Sequence, residues 1–442
     1  MQEAGPRGLT AGLDPAAAGA EIHELARRLM PIPRSLTGDG VRETLRIVGE
    51  LVPLAVTEVP TGTPIFDWTT PREWNVAEAW IADSSGRRIV DWRDSNLRLL
   101  GYSHPVRTRL TGKELDERLY SLPEFPDRIP YRTAYWADTW GFCVTEAERR
   151  AIRPDEEYEV CIDARLEDGN LTYAEALLPG ESEEEVLLST YVCHPSLAND
   201  NVSGIALLAV LGARLVERRL HRSHRLLFSP GTVGPLAWLS RNLERLDRIR
   251  GGMVVACVGD PGPLRYKRSR AGDTAVDRAA AYVLRSREGS MVEDFVPWGG
   301  DERQFCSPGF DLPVGALTRT PHGLFPEYHS SADDLDLIRP ESLGDSLAAT
   351  LEILDVLEGD RTYVSRNPYG EPQLGRRGLY REVSSGAPRE EESFQRAILW
   401  VLNLADGGHS LLDVAERADL PFGVVADAAA ALLAADLLEE RP

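Results

Sequence analysis

The chain has 442 residues, with 49 basic against 70 acidic side chains, a formal net charge of −21 and 43% hydrophobic content. That length predicts two or three domains with substantial cores, and that charge argues against a general nucleic-acid binder or a protein drawn to anionic membranes. The five cysteines, Cys143, Cys161, Cys193, Cys257 and Cys306, are scattered and form no CxxC pair, as expected of a reduced, cytoplasmic protein, and no apolar run reaches membrane-spanning length.

Residues 1–18 are small and aperiodic, so no regular structure is expected there. Ile22, Leu25 and Leu29 fall on one helical face, which Pro31 and Pro33 end. Asp39 opens a second helix over 41–51. Residues 60–151 hold six of the nine tryptophans: Trp68, Trp74, Trp80, Trp92, Trp136 and Trp140. Short alternating runs at 77–82, 88–92 and 97–100 predict a small β-rich domain inserted here. Its aromatics are expected in a core, with a sugar-binding face as the alternative.

From 156 onward, strand signals at 158–163, 171–178 and 186–192 lead into a regular alternation. Helices are expected at 204–218, 234–246, 274–286 and 342–357, and strands at 225–229, 252–258 and 311–317. That rhythm predicts an α/β sheet with helices on its faces. A polar linker over 361–388 precedes the tail 389–442. There Phe394, Ile398 and Leu402 mark one helix, Ser410 starts a second, and Val424–Ala435 forms a third. A winged-helix fold is expected. Between 391 and 440 only Arg396 and Arg417 are Lys or Arg, so a structural or protein-contact role is expected rather than DNA binding.

The stretch Leu187–Gly204 organises the chemistry. A strand runs into His194-Pro195 and Asn199-Asp200-Asn201, and a helix follows from Ser203. Ligands of open α/β sheets bind outside the C-terminal strand ends. Imidazole nitrogen and carboxylate oxygen both suit zinc. The ordinary alternative is turn and cap chemistry for the same Asn and Asp residues. Three more loops repeat the pattern: Gly259-Asp260, Asp301-Glu302 after Gly299-Gly300, and Tyr328-His329-Ser330-Ser331-Ala332-Asp333. Four acid or His loops at one sheet edge predict a metal-dependent active site. Cys193 and Cys257 lie in apolar runs and are expected in the core. Arg268 and Arg270 could clamp a substrate carboxylate, with a solvated charge run as the alternative. Arg319 and His322 occupy a pocket-loop motif, RTPHG, before His329.

These motifs carry a resemblance. His194…Asp200-Asn201-x-Ser203-Gly204, Gly259-Asp260, Gly300-Asp301 and Glu327-Tyr328-His329-x-Ser331-x-Asp333 resemble the zinc aminopeptidase superfamily. PIPRSLTGDGVRETL, FDWTTPREWNV, YVCHPSLANDNVSG, GGDERQFCSPGFDLPVG, PEYHSSADDLD and LWVLNLADGGHSLLDVAERADL resemble a bacterial subgroup, the aminopeptidase-like-domain proteins often found in polysaccharide-biosynthesis clusters. The resemblance implies an α/β, three-layer zinc-exopeptidase fold over 19–59 and 152–360. It also implies the inserted β-rich domain over 60–151 and a winged helix over 389–442. By motif, His194, Asp200 and Asp260 form one zinc site, with Asp200 bridging, and His329 belongs to a second. Asp301 matches an acidic position of the family near the substrate. Asp301 and Glu302 are the candidate catalytic acids, and Arg268, Arg270, Arg319 and Tyr328 the candidate substrate contacts.

One position departs from the pattern. Gly231 stands where the family carries a Glu that serves as general base and second-site ligand, and Glu302 is the expected substitute. The implied cofactor is one or two zinc ions. The implied activity is an amide hydrolase of aminopeptidase type with an impaired second metal site. Its partner is a small-molecule substrate, a biosynthetic intermediate or modified sugar. A non-hydrolytic scaffold and a transferase or cyclase using the same pocket are the alternatives, and a homo-oligomer stays open.

Overall fold

The computed structural model describes residues 8–379 and 389–441. Residues 1–7 of the expected unstructured start and 380–388 of the expected linker lie outside them. The chain divides into two units, Leu13–Ala349 and a second made of the residues up to Gly12 with those from Thr350 onward.

The larger unit begins with helix α1 (Pro15–Leu29), inside the stretch expected to lack structure. The reason is a strong cap: Asp14 Oδ1 accepts from Ala16 N (3.0 Å) and Ala17 N (3.2 Å), and Pro15 is preorganised for a first helical turn. Helix α2 (Asp39–Val48) and strand β1 (Ala55–Pro60) follow. Next come β2 (Glu73–Ala82), β3 (Arg88–Asp91) and β4 (Val106–Thr111). The run at 97–100, expected as a strand, begins instead with a short 3-10 turn at Asn96–Arg98, because Ser95 Oγ caps it by accepting from Leu97 N (3.3 Å). Strand β5 (Glu157–Glu167) pairs antiparallel with β2 and β4, giving a four-stranded sheet in the order β3-β2-β5-β4. That pairing carries the inserted sheet past residue 151, to Glu167. Tyr158, Val160, Ile162 and Ala164 alternate into its core, the pattern of a half-buried antiparallel sheet.

The larger sheet uses β1, β6 (Asn170–Leu178), β7 (Glu185–Tyr191), β8 (Ser223–Ser229), β9 (Ile249–Val255), β10 (Arg265–Lys267), β11 (Met291–Glu293) and β12 (Val314–Thr318). Its order is β1-β6-β8-β7-β9-β12-β10-β11. The central four, β8, β7, β9 and β12, run parallel. β7 and β8 are buried at every position, as parallel strands covered on both faces must be. Helices α3 (Ser203–Val216), α4 (Val233–Arg241), α5 (Ala275–Leu284) and α6 (Pro340–Gly359) alternate with these strands. Gly204 starts α3 where a Cβ would lie 2.4 Å from Asn201 Oδ1 and 2.6 Å from the Val255 carbonyl. Only glycine lets the helix begin so close to β9. The loops after β7, β8, β9 and β12 therefore gather at the C-terminal edge of the parallel core, where such sheets bind ligands.

The smaller unit holds β13 (Thr362–Ser365), α7 (Arg389–Leu404), β14 (Asp406–Ser410), α8 (Leu411–Ala418), α9 (Phe422–Ala434) and β15 (Leu438–Glu440). β13, from the start of the expected linker, is the middle strand of a β14-β13-β15 sheet. Ser410 and Asp413 close a reciprocal capping box on α8,. Ile398, Val401, Leu411, Val414, Val425 and Leu432 form the core. The only ionisable side chain on α9 is Asp427. Among the described residues no helix is long and apolar enough to cross a membrane.

Candidate metal centre

Two asparagines shape the loop after β7. Asn199 Oδ1 accepts from Gly259 N (3.0 Å) and Asp260 N (3.2 Å). Asn201 Nδ2 donates to Thr190 Oγ1 (2.7 Å) and the Tyr191 carbonyl (3.0 Å), and its Oδ1 accepts from Cys257 N (3.2 Å). Asp333 accepts from the backbone N–H groups of Asn199 (2.6 Å) and Asp200 (3.0 Å). The peptide between Asp200 and Asn201 is cis. These bonds tie the ends of β7 and β9 and the last loop of the unit into one frame, which holds Asp200 fully buried.

Asp200 Oδ2 lies 3.0 Å from His329 Nε2 and 4.0 Å from His194 Nε2. The donor atoms of the three residues all fall within 4.8 Å of one another. Asp200 Oδ2 and His329 Nε2 are buried and have no hydrogen-bond partner. Their polar contact is with each other, at 3.0 Å. Burial pushes the His194 pKa down to about 4, which leaves a neutral ring with a free lone pair. Burial opposes ionisation of Asp200, but the His194 and His329 rings overcome it and hold the carboxyl well below its usual range. Neutral imidazole and ionised carboxylate are the protonation states a metal ion requires. Two imidazoles and one carboxylate also match the three-ligand sets of catalytic zinc. The residues present thus fit a metal ion at this position.

The surroundings fix these rings. The inserted segment crosses them: Tyr131 N donates to the His329 carbonyl (2.8 Å), and Ser331 N donates to the Ile129 carbonyl (2.8 Å). The Tyr131 ring packs on His194 and His329, with centroids 5.1 and 5.0 Å away, and its hydroxyl meets that of Tyr135 at 2.9 Å. Tyr328 stacks on His329 at 3.9 Å. Arg34, from the PIPRSLTGDG loop, is fully buried and donates Nε to the His194 carbonyl (2.8 Å). A cavity of about 380 Å³ touches Tyr131 and Pro195 and includes Arg34, Trp74 and Trp92, but none of the three donor residues lines it.

A second group shares Asp200: the donor atoms of Asp200, Cys257 and His322 also lie within 4.8 Å of one another. Cys257, expected in the core, is buried but takes a left-handed φ of 50° just past β9. The Tyr191 hydroxyl stands among these three. It donates to Asp200 Oδ1, and it lies 2.8 Å from His322 Nε2 and 3.8 Å from Cys257 Sγ.

The remaining expected site residues separate. Asp260 belongs to neither group. Its Oδ2 accepts from Asn199 Nδ2 (3.0 Å) and Thr320 N (3.1 Å), and its Oδ1 from Gly262 N (2.8 Å) and Thr320 Oγ1 (2.6 Å). These bonds turn the loop after β9 and engage both Asp260 oxygens. His329, expected in a second site, joins His194 because the Ile129–Tyr131 segment pins its loop there. Glu302, expected as the substitute base, pairs with Lys267 Nζ at 2.5 Å. Asp301 stands nearer the gap at Gly231, where a Cβ would meet Cys193 Sγ at 3.5 Å and Asp301 Oδ1 at 3.9 Å. Asp301 Oδ1 accepts from Thr232 N (2.7 Å), while Oδ2 is buried without a partner. Burial pushes its pKa up to about 7. The arginines hold protein rather than a substrate carboxylate. Arg268 donates to the Gly272 carbonyl (2.6 Å), and Arg270 pairs with Asp311 (2.8 Å). Arg319 is buried against the Gly262 carbonyl (2.7 Å) and Asp345 (3.0 Å). Sequence reasoning missed Tyr131 and Tyr191 altogether. The one available signal was that Tyr191 ends the strand directly before Cys193-His194.

A parallel-core α/β sheet with an acid and His cluster at its C-terminal edge is an aminopeptidase-like fold, and a zinc aminopeptidase from Bacillus subtilis shares it. That structure aligns with a TM-score of 0.56 at 12% identity, over 77% of this chain and 94% of that one. The chain belongs to a family described as a domain of unknown function, DUF4910, whose model matches residues 23–360, and a winged helix-turn-helix model matches residues 361–440. A curated relative from Clostridium acetobutylicum is 45% identical over 422 residues, 95% of this chain and 96% of its own. It is named, provisionally, a polysaccharide biosynthesis protein with aminopeptidase-like domain. A crystal structure from the same organism, provisionally named a peptidase, aligns with a TM-score of 0.90 at 43% identity over 97% of both chains.

Proposed function

We propose that the chain is a metal-dependent amide hydrolase acting on a small substrate, a modified sugar or an intermediate of polysaccharide assembly. One observation carries this reading: Asp200 Oδ2 and His329 Nε2 face each other at 3.0 Å, buried and without any other hydrogen-bond partner, with His194 alongside. A divalent ion held by these three, zinc by their donor chemistry, supplies Lewis acidity toward an amide carbonyl and toward water. Asp301 is the proton acceptor. Its elevated pKa of about 7 suits a general base at neutral pH,, and it stands beside the position where the aminopeptidase pattern expects a Glu. Tyr131 and Tyr328 wall the two imidazoles and keep them oriented. The substrate class follows the name of the curated relative.

The test uses the full chain, stripped of metal and reloaded with zinc, on aminoacyl amides and on N-acylated and N-aminoacylated sugars. Turnover is expected only in the loaded protein, and His329→Ala is expected to lose both metal and turnover. Hydrolysis that survives chelation, or survives in His329→Ala, overturns the reading.

A further inference from the structure

Two donor groups that share one carboxylate have the layout of a two-ion centre, in which the shared group lies between the ions. The two groups here are not equivalent. Around His194 and His329, Asp200 Oδ2 and His329 Nε2 have no hydrogen-bond partner. Around Cys257 and His322, the space already holds the Tyr191 hydroxyl, in contact with all three residues.

Proton accounting sharpens the contrast. A phenol has one proton to give, and an ionised carboxylate can only accept. The Tyr191 hydroxyl therefore donates to Asp200 Oδ1, and its own lone pair accepts from His322 Nε2–H. In that arrangement His322 Nε2 carries the proton and offers no lone pair to a metal while the bond to Tyr191 stands. Asp200 Oδ1 is likewise engaged, so only Oδ2 remains for an ion. A second ion held by Asp200, Cys257 and His322 would compete with the phenol oxygen for the space between them. The ring cannot easily swing aside. Tyr191 ends the fully buried strand β7, its carbonyl is held by Asn201, and its ring lies against His194 and His322.

We infer that the Tyr191 hydroxyl occupies the second ion's position, so that the centre holds a single ion and Asp200 binds it through one oxygen. This inference rests on the metal-dependent reading above and goes beyond it. Tyr191 is a positioning residue: it fixes which Asp200 oxygen faces the metal.

The experiment measures metal per chain by elemental analysis of the full-length protein equilibrated with excess zinc and desalted. It is paired with the absorption spectrum of the cobalt(II)-substituted protein. The expected result is one ion per chain and no thiolate-to-cobalt charge-transfer band. Cys257→Ser is expected to keep one ion and the same cobalt spectrum. Tyr191→Phe vacates that position, so it is expected to bind its first ion with about 10- to 100-fold weaker affinity, as for loss of a group that orients a ligand, and to admit a second; a variant still limited to one ion overturns the occupancy by the hydroxyl. Two ions per wild-type chain, or a wild-type thiolate band that Cys257→Ser abolishes, overturns the inference and leaves the hydrolase reading standing. An unchanged affinity in Tyr191→Phe overturns the positioning role. A wild-type chain that binds no ion overturns the hydrolase reading, and this inference with it.

Discussion

Asp200 and Asp260 sit in the loops after two adjacent parallel strands, β7 and β9, and a motif reading treats them alike. Their surroundings differ in kind. Asp260 accepts four hydrogen bonds, from Asn199, Gly262 and both the backbone and the side chain of Thr320. Asp200 accepts one from Tyr191 and leaves its other oxygen facing two imidazoles with no hydrogen-bond partner. The difference teaches that a carboxylate at a strand end is a ligand candidate only when its lone pairs are left over. Counting hydrogen bonds separates the site from its frame.

The largest expected effect breaks the open side of that comparison. Asp200→Ala removes the central donor, and metal affinity should fall by more than about 100-fold, beyond the 10- to 100-fold typical of groups outside the ligand shell. Isothermal titration with zinc checks it, and retention of a tightly bound ion would remove Asp200 from the centre. Next in size is Asp301→Asn, expected to lower kcat by about 10²–10⁴-fold while metal content stays the same. In the wild type the base works only when ionised. Activity should therefore rise with pH through about 7, the value to which burial lifts Asp301, and fall about tenfold per unit below it. A pH–rate profile that keeps this limb in Asp301→Asn would assign the base elsewhere.

Asp260→Ala probes the closed side. Its loss strands buried donors of Asn199, Gly262 and Thr320, so stability should drop by about 3 kcal/mol. The folded variant should still bind one ion, which denaturant unfolding and elemental analysis would test together; loss of the ion with unchanged stability would reverse the two aspartates' roles. The smallest effect is expected for Gly231→Ala. The new Cβ meets its neighbours at 3.5 Å or more, an ordinary contact, so stability should shift by less than about 1 kcal/mol. A large loss of stability would mean that the space beside Asp301 is not free.

The strand–helix rhythm was legible from residue 171 onward because buried parallel strands and amphipathic helices leave strong local patterns. His194, Asp200 and His329 were legible as candidate donors from their strand-end motifs. Their grouping was not. His329 was placed apart from His194 because nothing local shows that Ile129–Tyr131 crosses to the His329 loop. The engagement of Asp260 is not legible locally, because three of its four hydrogen bonds come from two other segments of chain, at Asn199 and Thr320. The partners of β5 are not legible locally, because strand pairing is a long-range choice and its alternating pattern fits either sheet. Tyr191 looked like one more apolar strand residue, and only the convergence of β7 with the 322 loop gives its hydroxyl a role.

The strap formed by Ile129–Tyr131 bears on how this protein reaches its native state. Ile129 donates to a side chain 202 residues further along the chain, and the paired carbonyl and N–H contacts of Tyr131 and Ser331 depend on the same meeting. Closing so long a loop belongs to the late, slow part of folding, after local helices and adjacent strands have formed. An ion held by Asp200 and His329 is therefore not expected to nucleate the fold in the way structural zinc does in small metallo-domains. An ion at this position is expected to add to a scaffold already closed, so folding rates of metal-loaded and metal-stripped protein should agree while unfolding is slower in the loaded form, which stopped-flow refolding and unfolding would check.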